Sequence, residues 1–85
     1  MSAVIIFNDN NFSGDSLAVD GDIFDFSATR FNDQGSSIII NQGTWEFCTD
    51  ANFQGQCKIL GQGQYPSVQD VGIPNDSISS VRRRG

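Results

Sequence analysis

The chain has 85 residues, ten acidic and five basic side chains and no histidine, for a formal net charge of −5. That length supports one domain with a thin core, so a disulfide, a metal ion or a partner chain is expected to reinforce it. Imidazole catalysis and histidine-ligated zinc are excluded, two cysteines cannot build a four-thiolate site, and no run of about 18 apolar residues exists to span a membrane.

In chain order, the apolar runs are short: 3–7 (AVIIF), 16–19 (SLAV), 37–40 (SIII), 45–47 (WEF), 58–60 (KIL) and 78–81 (ISSV). Ile, Val and Phe fill them and Gly, Asn and Asp separate them, the pattern of an all-β domain. Pro66 and Pro74 fall between runs, where a missing backbone donor does no harm. Nine of the ten acids are Asp, which favours loops because its short side chain bonds nearby backbone. The first 43 residues hold six acids and one Arg, so nucleic acid is not an expected partner. Arg82, Arg83 and Arg84 are expected to be a solvated strand end. The N-terminus has no basic segment ahead of a long apolar run, so no leader peptide is expected and a cytoplasmic location is slightly favoured.

The chain repeats itself. Phe12-Ser13-Gly14 recurs as Phe53-Gln54-Gly55, 41 residues on. Asn32-Asp33-Gln34-Gly35-Ser36-Ser37-Ile38 recurs as Asn75-Asp76-Ser77-Ile78-Ser79-Ser80-Val81, 43 residues on. Two anchors in the same order at nearly one offset describe two copies of a unit, one over 1–42 and one over 43–85. Strands are expected near 3–8, 15–20, within 21–30 and at 36–41, then near 44–49, 57–61, 64–67 and 78–83. Four antiparallel strands with a long return make a Greek key, and two such keys make a β-sandwich of about eight strands. The long returns are 21–31 and 66–74.

Phe7-Asn8-Asp9-Asn10-Asn11-Phe12-Ser13-Gly14 resembles the aromatic-x4-aromatic-x-Gly hairpin of the βγ-crystallin family. In the second copy Phe53 and Gly55 match, whereas Cys48 stands where the first aromatic belongs and Trp45 and Phe47 flank it. Gly61-Gln62-Gly63-Gln64-Tyr65-Pro66 resembles the family's tyrosine corner, and Gly43-Thr44-Trp45 the start of its second key. The resemblance covers residues 3 to 83 and has the form of a single-domain microbial member.

Asn-Asp-x-x-Ser-Ser occurs twice and matches the family's calcium-binding pattern. Calcium takes six to eight hard oxygen ligands at flexible angles. Asp33 and Asp76 offer carboxylates, Ser36 and Ser79 offer hydroxyls three residues on, and a bend between them exposes the carbonyls of Gln34 and Ser77. The resemblance implies that the two loops jointly clamp two calcium ions, each site also taking a carbonyl from a facing hairpin, at Asn8 and Thr49. Asn32, Asn75, Ser37 and Ser80 are then supports of the loops. The same residues are also good turn formers, and it is their duplication that favours calcium.

Asp9, Asn11, Ser13, Gly14 and Asp20 occupy five positions of an EF-hand loop, but AVIIF precedes them where a helix is required. Asp20, Asp22 and Asp25 are expected to be a solvated acidic loop. Cys48 and Cys57, nine apart across one hairpin, are compatible with either a disulfide or two thiols. Neither catalysis nor thiolate metal binding is expected of them. The Asn11 and Asn75 sequons are treated as chance. Phe7, Phe12, Phe47, Phe53, Trp45 and Tyr65 are assigned to the core. With no nucleophile–base pair, an enzyme is not expected. The expected protein is a monomeric, calcium-binding Greek-key module, and the rival is a small secreted inhibitor or toxin on the same fold.

Overall fold

The computed structural model describes residues 2–26, 35–74 and 78–85. Its strands are β1 (Val4–Asp9), β2 (Ser13–Val19), β3 (Ser37–Ile40), β4 (Trp45–Asp50), β5 (Gln54–Leu60), β6 (Gly63–Tyr65) and β7 (Ser80–Arg83). They form two antiparallel sheets in the orders β2-β1-β3-β6 and β5-β4-β7. Among the described residues no helix is long and apolar enough to cross a membrane.

Alternation along the strands sends one set of side chains inward. Val4 and Ile6 of β1, Ile38 and Ile40 of β3, Trp45 and Phe47 of β4, and Val81 of β7 are buried in one core, joined by Phe26, Val68, Ile73 and Ile78 from the connections. Trp45 and Phe47 fulfil the core assignment. Tyr65 is half-buried and packs against that core, as assigned, whereas Phe7, Phe12 and Phe53 are half-buried on the hairpins, outside the core cluster. The Tyr65 hydroxyl donates to the Gly61 carbonyl (2.7 Å), which realises the tyrosine corner.

Each sheet borrows from the other half of the chain. β6 pairs with β3, placing Tyr65 opposite Ile38. Ile23 bridges Val81 of β7 in return, with reciprocal 2.8 Å bonds between their backbones. The strand expected within 21–30 is thus a single bridge among the described residues, and its remainder, 27–30, lies outside them. β2 and β5 begin two and three residues earlier than expected, because each hairpin keeps pairing past its bend.

The terminal arginines are not simply solvated. Arg82 Nε lies 2.7 Å from Glu46 Oε1, and its guanidinium sits 4.6 Å from the Phe53 ring centroid. Arg83 lies over Trp45. Asp20 and Asp22 of the acidic loop are exposed, as expected, but they also make specific bonds. Asp20 accepts the Ala3 N–H (2.9 Å) and Asp22 the Arg83 N–H (2.8 Å), so both carboxylates fasten strand ends.

Ser37 and Ser80 are fully buried and make matching bonds. The Ser37 hydroxyl donates to the Asp9 carbonyl (2.6 Å) and accepts the Phe12 N–H (3.0 Å). The Ser80 hydroxyl donates to the Asp50 carbonyl (2.6 Å) and accepts the Phe53 N–H (3.1 Å). Ser37→Ala leaves the Asp9 carbonyl and the Phe12 N–H without this buried hydroxyl, two part-buried bonds worth about 0.5–1.5 kcal/mol each, with a further cost for a group that water cannot reach. Urea denaturation of Ser37→Ala is expected to show a loss of about 2–4 kcal/mol, against under about 0.5 kcal/mol for the exposed Ser13→Ala.

Candidate metal centre

The hairpins that border the site are folded over by residues in the left-handed region. Asn11 and Phe12 have φ of 59° and 61°, and Asn52 and Phe53 have φ of 58° and 60°. Two consecutive non-glycine residues in that region are unfavourable by themselves. Tertiary bonds hold them: the serine hydroxyls above, and bonds from Asn11 N–H to the Pro66 carbonyl (2.9 Å) and from Asn52 N–H to the Phe24 carbonyl (2.6 Å). In the first hairpin the Phe7 and Phe12 rings also meet edge-on, with centroids 5.7 Å apart. In the second, Cys48 replaces the first aromatic and forms a disulfide with Cys57, directly opposite on β5, at a Cα separation of 4.1 Å. Arg82 covers the ring of Phe53 that a second aromatic would otherwise meet.

Beside each bend the register jumps. Phe7 faces Ser16 and Asp9 faces Ser13, so Asn8 alone opposes Gly14 and Asp15. Cys48 faces Cys57 and Asp50 faces Gln54, so Thr49 alone opposes Gly55 and Gln56. These are bulges in which the left-handed residue is glycine, with φ of +79° at both Gly14 and Gly55. Asn8 and Thr49, the two positions assigned as carbonyl donors, therefore occupy the same irregular place in the two hairpins. The Thr49 hydroxyl accepts the Gln56 N–H (3.0 Å) and closes its bulge.

Ser36 and Ser79 are buried, 3% and 8% exposed, each one residue ahead of its strand. Ser36 N–H donates to the Phe7 carbonyl (2.8 Å), and Ser79 N–H to the Cys48 carbonyl (2.9 Å). Each serine thus lies against the residue just before Asn8 or Thr49. Their own carbonyls accept from the opposite half of the chain: Ser36 from Val68 N–H (2.9 Å) and Ser79 from Phe26 N–H (2.8 Å). The structure therefore brings Ser36 beside the Asn8 bulge and Ser79 beside the Thr49 bulge, in equivalent settings. Asp33, Gln34, Asp76 and Ser77, with the supports Asn32 and Asn75, lie outside the described residues.

The motif resemblance makes Ser37 and Ser80 supports of their own loops. Their hydroxyls instead bond the neighbouring hairpin, because the pleat turns them toward the bend. The sequence reading missed this role, although two adjacent serines starting a strand in both copies carried the cue. The EF-hand alternative fails on geometry, since Asp9, Asn11, Ser13 and Gly14 lie on a strand–bend–strand unit rather than between two helices.

Two interlocked Greek-key halves, with matched folded hairpins and matched serine pairs, define a class of β-sandwich. The family model described as Beta/Gamma crystallin matches residues 3–84, and the chain belongs to the βγ-crystallin family. It is 36% identical to a beta/gamma-crystallin of Ciona intestinalis over 84 residues, covering 99% of this chain and all of that one. The solved structure of a Ciona intestinalis beta gamma crystallin superposes with a TM-score of 0.92 at 36% identity, covering 95% of this chain and 98% of that one. A betagamma-crystallin from an archaeon gives 0.89 at 40% identity, covering 95% of both chains. A transition-metal-ion-binding betagamma-crystallin from Methanosaeta thermophila gives 0.83 at 27% identity, covering 95% of this chain and 99% of that one. The chain spans 40% of the length of the curated vertebrate beta-crystallin B2 proteins it matches.

A Cβ on Gly55 would meet the Thr49 hydroxyl and would come within 2.8 Å of Asp50 Oδ2, at a φ that L-residues avoid. Gly55→Ala is expected to lose about 1–2 kcal/mol in denaturant titration. Gly21→Ala, where a Cβ meets nothing within 4 Å, is the control and is expected to change stability by under about 0.5 kcal/mol.

Proposed function

We propose that this protein is a non-enzymatic calcium-binding module that holds two calcium ions through its paired Asn-Asp-x-x-Ser-Ser loops, and that the ions stabilise the fold. The observation that carries this reading is the equivalence of the two settings. Ser36 and Ser79, the hydroxyl donors of the two motifs, make the same backbone bonds, each beside a bulge at Asn8 or Thr49. Two matched settings are what a two-ion reading requires. The name of the Methanosaeta relative, a metal-ion binder on the same fold, is consistent with a metal role.

The donor set fits calcium. It consists of the Asp33 and Asp76 carboxylates, the Ser36 and Ser79 hydroxyls, and the carbonyls of Gln34, Ser77, Asn8 and Thr49. All are hard oxygen donors, with water completing the count of six to eight. About one carboxylate per ion implies dissociation constants of roughly 10⁻⁶ to 10⁻⁴ M, and magnesium, which demands rigid octahedral geometry, binds far more weakly.

An ion that binds only the folded chain stabilises it by RT ln(1 + [L]/Kd). At ~1 mM calcium and a Kd of ~30 µM each site contributes about 2 kcal/mol, and two contribute about 4 kcal/mol. Thermal melts in millimolar calcium are expected to lie roughly 15–30 °C above melts in chelator. Asp33→Ala and Asp76→Ala are expected to remove most of that increment. Arginine in place of Ser36 or Ser79 is a poorer probe, because both positions are buried and the fold itself would suffer. Asp22→Ala is expected to lower both melts alike, since Asp22 fastens the Arg83 backbone and is no part of either motif. Equal melting points with and without calcium would reduce the two motifs to turns.

A further inference from the structure

Glu46 and Cys48 are two residues apart on β4, so their side chains leave the same face of the strand. Cys57 stands directly opposite Cys48 on β5. One carboxylate oxygen of Glu46 and the sulfur atoms of Cys48 and Cys57 all lie within 4.8 Å of one another. Cys48 is buried, whereas Glu46 and Cys57 are half-buried. The Glu46 carboxylate is not loose. Arg82 Nε holds its Oε1 at 2.7 Å, Arg84 approaches to 3.8 Å, and Arg82 is itself seated on Phe53. An outer partner of this kind fixes the orientation of a ligating side chain.

In the oxidised protein the two sulfurs are bonded to each other and neither is a thiolate. We propose that reduction of the Cys48–Cys57 bond uncovers a three-ligand site for a thiophilic divalent cation of the zinc class. Its ligands are Cys48 Sγ, Cys57 Sγ and one oxygen of Glu46, with water in the fourth position. A thiol reductant supplies the electrons: two R–SH become R–S–S–R, the protein S–S bond breaks, and both cysteines end as S–H. The cation then displaces both protons as it binds the two thiolates.

Metal–sulfur bonds of about 2.3 Å and metal–oxygen bonds of about 2.0–2.2 Å place tetrahedral ligand atoms roughly 3.6 Å apart. The observed cluster admits that spacing once the sulfurs part, because adjacent strands fix the positions of all three residues. Two thiolates and one carboxylate carry three negative charges, which the cation and the Arg82 guanidinium balance. Soft sulfur ligands select against calcium, so this site is chemically separate from the oxygen loops. It therefore stands or falls independently of them.

The test uses the whole chain, reduced, freed of reductant under anaerobic conditions, and kept in saturating calcium to occupy oxygen sites. Cobalt(II) is the spectroscopic probe, with tryptophan fluorescence and circular dichroism recorded to follow folding. The reduced folded chain is expected to take up one cobalt with a thiolate-to-cobalt charge-transfer band, which zinc abolishes. The oxidised chain and Cys57→Ser are expected to show no such band. Glu46→Gln is expected to bind about tenfold or more weakly, since it removes a charged ligand and keeps both thiols. Zinc is expected to raise the melting temperature of the reduced chain and to leave that of Cys57→Ser unchanged. A reduced, folded chain without the band would overturn the proposal. So would Glu46→Gln binding as tightly as the parent chain, or a reduced chain whose melting zinc does not shift.

Discussion

The structure depends on two buried hydroxyls. Ser37 and Ser80 each donate to the carbonyl that enters a hairpin bend and accept the N–H that leaves it. The bends need such bonds, because they place Asn11, Phe12, Asn52 and Phe53 in a region where a side chain is costly. With both bends held, the hairpins fold back over the sandwich ends. Their bulges then set Asn8 and Thr49 next to the strand entries at Ser36 and Ser79. Fold and site are therefore one arrangement, since the serine beside each candidate ligand holds the hairpin that offers the next.

Exchange between the halves makes this arrangement cooperative. The carbonyl of Ser36 accepts from Val68, and that of Ser79 from Phe26, and both donors are fully buried residues of the opposite half. β6 completes the first sheet, and Ile23 extends the second. Neither half can bury its own faces without the other. Cys48 and Cys57 add a covalent tie across β4 and β5, at the place where the first hairpin instead sets Phe7 edge-on against Phe12. This reinforcement is one that a thin core of this length calls for.

Much of the fold was legible because the repeat was legible. Two anchors at offsets of 41 and 43 placed the strands within a few residues and put the serine pairs in equivalent positions. What escaped the sequence reading depended on partners far along the chain. Asp20 and Asp22 are solvated as read, but their bonds to Ala3 and Arg83, the latter 61 residues away, were not foreseen. The left-handed Phe12 and Phe53 run against propensity, and only the tertiary bonds explain them. The disulfide needed the register that sets Cys48 opposite Cys57, which spacing alone left open. Glu46 joins that pair by strand alternation, a relation visible only once β4 and its partners are fixed. For the proposed metal role, the motif names candidate residues, and the structure shows Ser36 and Ser79, and likewise Asn8 and Thr49, in equivalent settings.

Calorimetric titration of the purified chain with calcium, followed by magnesium in a parallel run, tests the central claim most directly. The account predicts saturation at two calcium ions per chain, with micromolar to sub-millimolar affinity and far weaker magnesium binding. An absence of calcium heat, or saturation at a single ion, would contradict it.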